Sequence, residues 1–289
     1  MSQKVNLNAY FERIGFVGSI APTLATLDLL HALHPAAIAF ENLNPLLGLP
    51  VRLDLPSLQT KLLTERRGGY CYEHNLLLKA MLEELDFTVR GLAARVLWNR
   101  PEGAEGPAHH MLLAVDINNT THIADVGFGG LTLTAPLKLK ADAEQTTPHG
   151  VFRLTGGDPV WRLETRLNEE WSPLYAFDTT EKSAADYESA NSFLSTDPAS
   201  PFRAQLRVAL APAGKRLALK DNHFTTYGQD GQTESRFLTS VAEMRDVLTS
   251  SFGLALPAGE ALDARLGDIL LAAGIAPEMP AAPAEASEG

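Results

Sequence analysis

The chain has 289 residues, of which 45% are hydrophobic and 20% charged. That is enough material for a sizeable core, and the length points to two or three subdomains. A formal net charge of -11 argues against a general nucleic-acid binder, and a single cysteine excludes an intramolecular disulfide. No run approaches the roughly 20 apolar residues of a membrane span, and residues 1–18 carry no apolar stretch behind a basic region. The expectation is a cytoplasmic protein that neither spans a membrane nor binds nucleic acid.

Up to about residue 85 the pattern is helical. Residues 8–15 read as a short amphipathic helix closed by Gly15. Leu24, Leu27, Leu29, Leu30 and Leu33 lie close to the spacing of one buried helical face over 23–34, and Pro35 is expected to stop that helix. Residues 56–63 and 71–85 form the next two helices. From Phe87 the period becomes that of strands: 88–98, 109–117 and 121–126, with a hairpin turn at Asn118-Asn119, then 151–154, 160–166 and 171–178. Strands linked by local hairpins imply an antiparallel, barrel-like or strongly curved sheet. A connecting helix is expected over 180–195, strands at 205–210, 216–219 and 223–227, and helices at 241–252 and 259–273. The Ala/Pro/Glu-rich residues 276–289 read as a disordered tail.

The chemistry centres on residues 66–75, Arg-Arg-Gly-Gly-Tyr-Cys-Tyr-Glu-His-Asn, which hold the only cysteine. The two glycines let the backbone turn tightly, and an apolar run follows, so a loop feeds a helix with the thiol near its N-terminus. Unpaired N–H groups and neighbouring arginines favour a thiolate there. A lone cysteine is more often a buried structural thiol, but the Arg-Arg-Gly-Gly lead-in is a poor fit to a simple core position. Cys71 is therefore read as a nucleophile that carries an acyl group.

A thiol nucleophile needs a base and a group that orients the base. His110 opens the most apolar strand, where an imidazole can be aimed. His109 lies on the opposite face of that strand, so one of the pair faces the thiol. His74, one helical turn after Cys71, competes for the same role. Asp125 ends the returning strand of the hairpin, where antiparallel pairing sets it beside His110. Gly127-Phe128-Gly129-Gly130 follows as a loop whose backbone can approach a ligand closely. Cys71, His74, His110 and Asp125 are also possible zinc ligands, but one cysteine matches no structural zinc pattern, and no metal is expected.

Five segments, in order, resemble the arylamine N-acetyltransferase family: Tyr10-Phe-Glu-Arg-Ile-Gly15, Phe40-Glu41-Asn42-Leu43, Arg67-Gly-Gly-Tyr-Cys71-Tyr-Glu, His110-Met-Leu-Leu, and Ala124-Asp125-Val-Gly-Phe-Gly-Gly130. They cover about the first 130 residues; the rest matches in length and in the order of strands and helices. Two departures, Tyr72 for a frequent Phe and Ala39 for a common proline, touch no reacting atom.

The resemblance implies an α+β fold with a cysteine-protease-like catalytic core. Its parts are a helical bundle over 1–86 with the nucleophile, a β-barrel over 87–179 with base and carboxylate, an interdomain helix region over 180–204, and an α/β lid over 205–275. It implies a triad of Cys71, His110 and Asp125. Phe40, Phe128 and Tyr70 are assigned to the arylamine pocket, and Arg66 and Asn75 to support of the triad. Acetyl-CoA, the co-substrate, is assigned to Gly127, Gly129, Gly130, Thr132 and Thr134. The implied activity is ping-pong N-acetylation of small aromatic amines and hydrazines through an acetyl-cysteine. A papain-like hydrolase or amidase using the same triad is the competing reading, because triads recur across reaction classes.

Overall fold

The computed structural model describes residues 4–101, 103, 106–257 and 259–276. The expected tail lies outside them apart from Ala276. The chain begins with α1 (Leu7–Ile14), capped by the Asn6 side chain and closed by Gly15 in the left-handed conformation at φ 68°. Next come α2 (Leu24–Ala37), β1 (Phe40–Glu41), α3 (Leu43–Leu46), α4 (Leu55–Gln59) with a π-helical extension Thr60–Thr64, and α5 (Cys71–Glu84). The helix α2 runs through Pro35 rather than stopping before it. Pro35 forfeits its own helical bond to the His31 carbonyl, and its carbonyl is used outside the helix, accepting the Ala211 N–H at 2.8 Å.

Eight strands form the central sheet: β2 (Thr88–Val96), β3 (His110–Ile117), β4 (Thr120–Ala124), β5 (Leu137–Lys138), β6 (Glu144–Thr147), β7 (Gly150–Gly157), β8 (Val160–Leu167) and β9 (Glu170–Phe177). All pairings are antiparallel, in the order β5-β4-β3-β2-β9-β8-β7-β6. The two outer strands come close: the Gln145 amide on β6 exchanges hydrogen bonds of 2.7 and 2.9 Å with the Lys138 main chain on β5, which nearly closes a barrel. Asn118 and Asn119 make the β3–β4 turn with φ of 49° and 59°, the values a tight two-residue hairpin requires. The strands β5 and β6 were not expected from sequence, since one has two residues and the other reads Glu-Gln-Thr-Thr, without apolar alternation.

The chain continues through α6 (Ala184–Thr196) and α7 (Pro201–Ala204) into β10 (Arg207–Leu210), β11 (Lys215–Lys220), β12 (His223–Gly228), β13 (Thr233–Phe237), α8 (Val241–Asp246) and α9 (Glu260–Ala272). A π-helical segment, Val247–Ser251, replaces the second half of the expected 241–252 helix. The Thr249 and Ser250 hydroxyls donate back to the Arg245 and Asp246 carbonyls at 2.9 and 2.6 Å and compete with the helical ladder. The second sheet runs β1-β10-β11-β12-β13. Its first strand comes from the N-terminal helical part, so residues 205–275 do not complete this sheet alone. The strand β13 is exposed at every position, which is why no core-facing pattern announced it.

Three hydrophobic clusters follow this layout: one under the N-terminal helices, one inside the barrel, one between the second sheet and α8–α9. The helix α5 packs Leu77, Leu78, Met81 and Leu82 fully into the first cluster. Truncating any of them to alanine removes about 2–5 kcal/mol, so the residue at the helix start rests on a rigid support.

Candidate active site

Cys71 is the first residue of α5, with Tyr70 as N-cap. Its backbone N–H is one of the first-turn donors that have no intrahelical acceptor. The Glu73 carboxylate turns back to accept the Tyr70 N–H at 3.0 Å and is held on its other oxygen by the Lys61 ammonium at 2.7 Å. A side chain on Gly69 would strike Glu73 at 2.7–2.8 Å, and one on Gly68 would lie 2.0 Å from the Ala39 carbonyl. The glycine pair thus serves close approach: the Glu41 N–H donates to the Gly69 carbonyl at 2.8 Å, and the Gly69 N–H donates to Ala39 at 3.3 Å. The left-handed residue in this turn is Arg66, at φ 52°.

The polar residues of Phe40-Glu-Asn-Leu anchor the same region. Arg67 donates to Glu41 Oε1 from Nε at 3.1 Å and Nη2 at 2.8 Å, and to Asn44 Oδ1 at 2.9 Å. Burial alone would raise the Glu41 pKa, but Lys61, Arg67 and its hydrogen bonds outweigh that and lower it. Asn42 reaches the second sheet, donating to the Phe202 and Gln205 carbonyls at 2.7 Å and accepting the Arg207 N–H at 2.7 Å. Arg66, assigned from sequence to support of the triad, is exposed. The buried arginine beside the site is Arg67, and an Arg-Arg pair does not say which member turns inward.

His110 and Asp125 meet because β3 and β4 pair with Leu113 opposite Ala124, which carries Asp125 back beside the start of β3. His110 Nε2 donates to Asp125 Oδ2 at 2.7 Å. Asp125 Oδ1 accepts from Asn75 Nδ2 at 3.0 Å and from the Gly127 N–H at 2.9 Å. Asn75 also donates to the Met111 carbonyl at 2.8 Å and accepts the Val126 N–H at 3.1 Å, tying α5 to both strands. Burial alone would lower the His110 pKa; the Asp125 charge, its hydrogen bond and a hydrogen bond with the Cys71 thiol outweigh this and raise it to about 10. The Asp125 pKa, which burial would raise, is lowered by His110, Asn75 and Gly127. With Nε2 given to Asp125, Nδ1 is the ring nitrogen left for the thiol. The neighbouring His109 ring packs at a tilt against Phe193, ring centres 4.7 Å apart, and its carbonyl lies 3.9 Å from Cys71 Sγ.

His74, the competing base, is buried and neutral. Its Nε2 donates to the Ala39 carbonyl at 3.2 Å, so its Nδ1 accepts from His34 Nε2 at 2.9 Å, and His34 Nδ1 in turn accepts the Tyr10 hydroxyl at 2.9 Å. Both imidazoles are thereby fixed in one tautomer. Burial first of all pushes the His74 pKa down to about 4 and that of His34 well below its usual value. Among the described residues no cluster of three or more His, Cys, Asp or Glu is placed to hold a metal ion.

Phe128 sits half-buried with its ring 5.1 Å from that of His110, and Phe40 lies between His74 and Phe202 at 6.5 and 6.1 Å. The space bounded by Phe40, Val126 and Gly129 is a cavity of about 10 Å³, water-sized in this conformation. Tyr70, assigned to the same pocket, is fully buried, and its hydroxyl donates to Asn191 on α6. It braces the start of α5 and presents no surface to a ligand here. Gly127 packs directly on Cys71: a Cβ there would lie 2.8 Å from Cys71 Cα. Gly129, at φ +89°, faces Phe40, and Gly130 is open to solvent. Thr132 and Thr134 are buried, with hydroxyls engaged by Asp125, Phe128, Thr147 and His149. They staple the loop from inside.

Four residues around Cys71, His110, Asp125 and the loop that follows had no signal in the sequence. His31 Nε2 accepts the Asp125 N–H at 3.0 Å, and burial lowers its pKa to about 4 against the pull of Asp125. Tyr175 packs its ring 5.0 Å from His110. Asn191 on α6 accepts the Tyr70 hydroxyl, and Arg216 on β11 holds the Gly130 and Thr132 carbonyls of the loop after Asp125. No local pattern marks residues that reach the site from other elements.

A family model described as N-acetyltransferase matches residues 23–261. The arylamine N-acetyltransferase of Escherichia coli (strain K12) is 42% identical over 249 residues, 86% of this chain and 88% of that protein. The arylamine N-acetyltransferase of Mycolicibacterium smegmatis is 40% identical over 272 residues, 92% of this chain and 98% of that protein. The structure of Mycobacterium marinum arylamine N-acetyltransferase in complex with CoA superposes with a TM-score of 0.87 at 37% identity, over 91% of this chain and 99% of that one.

Proposed function

The chain belongs to the arylamine N-acetyltransferase family of acyltransferases, and on that premise we propose that it transfers acetyl groups from acetyl-CoA to small aromatic amines and hydrazines by a ping-pong route through Cys71. The observation that carries this reading is the buried His110–Asp125 pair, which leaves Nδ1 of a strongly basic imidazole for the only thiol.

The Cys71 proton passes to His110 Nδ1, and the resulting imidazolium is stabilised by Asp125. The thiolate attacks the thioester carbonyl. First-turn N–H groups of α5, Cys71 among them, are the natural donors to the oxyanion. The tetrahedral intermediate expels CoA thiolate, which takes the proton from Nδ1, and Cys71 keeps the acetyl group. The amine then attacks this thioester and gives its proton to Nδ1, and the N-acetyl product departs as the Cys71 thiolate is released. In this reading the helical part supplies the nucleophile and the barrel the base and carboxylate, a cysteine-protease-like core, with the second sheet and α8–α9 as its lid. Phe40 and Phe128 line the acceptor side. Gly129 and Gly130 are the loop residues free to meet the CoA moiety, since Gly127, Thr132 and Thr134 are taken up by packing and internal hydrogen bonds.

Initial-rate kinetics with acetyl-CoA and an aromatic hydrazine test the route. Parallel double-reciprocal lines, and no turnover by Cys71→Ser, are expected. Intersecting lines with activity retained in Cys71→Ser refute the covalent carrier; acetyl-CoA consumed equally fast without amine favours a hydrolase.

A further inference from the structure

Arg216, on β11 of the second sheet, is a buried cation whose hydrogen-bond acceptors are all main-chain carbonyls. Its Nη1 donates to Gly130 at 3.2 Å, and its Nη2 donates to Thr132 at 2.9 Å and His149 at 3.3 Å. No carboxylate pairs with it among the described residues, and burial lowers its pKa only to about 10, so it is charged at neutral pH. Burying a guanidinium without a counter-charge is unfavourable, which sets this residue apart from an ordinary stabilising ion pair.

All three acceptors belong to the barrel: two to the loop after Asp125, one to the β6–β7 turn. That turn is fastened to the second sheet from its own side. His149 Nε2 donates to the Pro212 carbonyl at 2.8 Å, and the Gln229 amide donates to the Pro148 carbonyl. In a trans peptide the N–H points opposite to the preceding C=O. Clamping the Gly130 carbonyl therefore fixes the Leu131 N–H, at a half-buried position beside exposed Gly130, pointing away from the guanidinium, while the Thr132 clamp anchors the following peptide, whose Leu133 is buried in the barrel core. A donor carrying phosphates binds to such oriented N–H groups and is sensitive to their alignment.

We propose that Arg216 is a positioning residue for the acyl-donor half-reaction: it holds the loop 129–133 against the second sheet in the form that receives the nucleotide part of the CoA thioester, and it touches none of the reacting atoms. This rests on the acetyl-CoA reading given above. Thr132 provides a second route of influence, since its hydroxyl donates to the Asp125 carbonyl at 2.9 Å and accepts the Phe128 N–H at 3.2 Å. The test must separate the two.

Arg216→Lys and Arg216→Gln, made in the full chain and checked for an unchanged thermal transition, are acylated with two donors: acetyl-CoA, and p-nitrophenyl acetate, which has no nucleotide. The KM for acetyl-CoA rises by at least about tenfold in Arg216→Gln, the equivalent of one lost charge-assisted hydrogen bond, and by less in Arg216→Lys. The acetyl-CoA kcat and the rate with p-nitrophenyl acetate stay near wild type. Equal slowing with both donors overturns the proposal, because Arg216 then acts through Asp125 or the fold. An unchanged KM in both variants also overturns it. Should Arg216→Gln fail to fold, the Lys variant decides by the same comparison. A wild-type chain acylated by p-nitrophenyl acetate but not by acetyl-CoA overturns the donor reading and this inference together; failure of the inference alone leaves wild-type acylation intact.

Discussion

Acidification should destabilise this protein well before its carboxylates titrate. His31, His34 and His74 are fully buried, and each is held neutral by a defined acceptor or donor geometry. An unfolded histidine titrates near pH 6.5. His31 and His74 are lowered to about 4 in the fold, and His34 is lowered in the same sense. Between those values the unfolded chain binds protons that the folded chain refuses, so stability is complete above pH 6.5 and declines as pH falls toward 4. At pH 5 each of the two groups with a folded value near 4 has lost about 2 kcal/mol, about 4 kcal/mol together, and His34 adds to this. Glu73, whose pKa burial raises, works the other way as it takes up a proton. Domains of ordinary stability have about 5–15 kcal/mol to lose. His110 leaves this window unaffected: its pKa is raised to about 10, so its contribution is full below pH 6.5 and fades as pH rises toward 10. Stability should peak between about pH 6.5 and 7. Urea unfolding at pH 7, 6 and 5 reads the effect directly. An unfolding free energy that stays level from pH 7 to pH 5 would refute the buried neutral chain.

Other substitutions separate neighbours that the structure treats differently. Arg67→Ala leaves the buried Glu41 carboxylate with Lys61 at 3.9 Å and the Leu43 N–H at 2.6 Å and should destabilise by about 1–3 kcal/mol in urea unfolding, whereas exposed Arg66→Ala should change stability little; equal effects would contradict the placement of the pair. Gly127→Ala puts a methyl 2.8 Å from Cys71 Cα. A shift of the nucleophile approaching 1 Å lowers acetyl transfer by about a hundredfold, and wild-type turnover by this variant would show that the loop yields freely. His110→Ala should abolish transfer and His109→Ala should not, measured as hydrazine acetylation; the reverse pattern would move the base to the other face of β3.

The site was legible where chemistry sits in short contiguous stretches and opaque where it comes from afar. Cys71 could be placed at a helix start from its own loop, and His110 and Asp125 at two ends of one hairpin, because turn and strand signals are local. The sequence could not choose between Arg66 and Arg67, since inward or outward orientation depends on Glu41, 26 positions away along the chain. The resemblance assigns Thr132 and Thr134 to the ligand, yet their hydroxyls are engaged by Asp125, Phe128, Thr147 and His149. The resemblance assigns Tyr70 to the arylamine pocket, but Asn191 draws its hydroxyl inward. In the fold, helices and half-buried strands declared themselves by period. The edge strand β13 and the two-residue β5 carry no apolar alternation, and the π-helical turn after α8 depends on back-bonding hydroxyls that periodicity does not register.

Intact-protein mass spectrometry on the full chain tests the central claim most directly, before and after mixing with acetyl-CoA and again after adding an aromatic hydrazine. One acetyl group on Cys71, discharged by the hydrazine, is the predicted result. A folded protein whose Cys71 stays unmodified by acetyl-CoA while the hydrazine is acetylated would contradict the acetyl-cysteine mechanism.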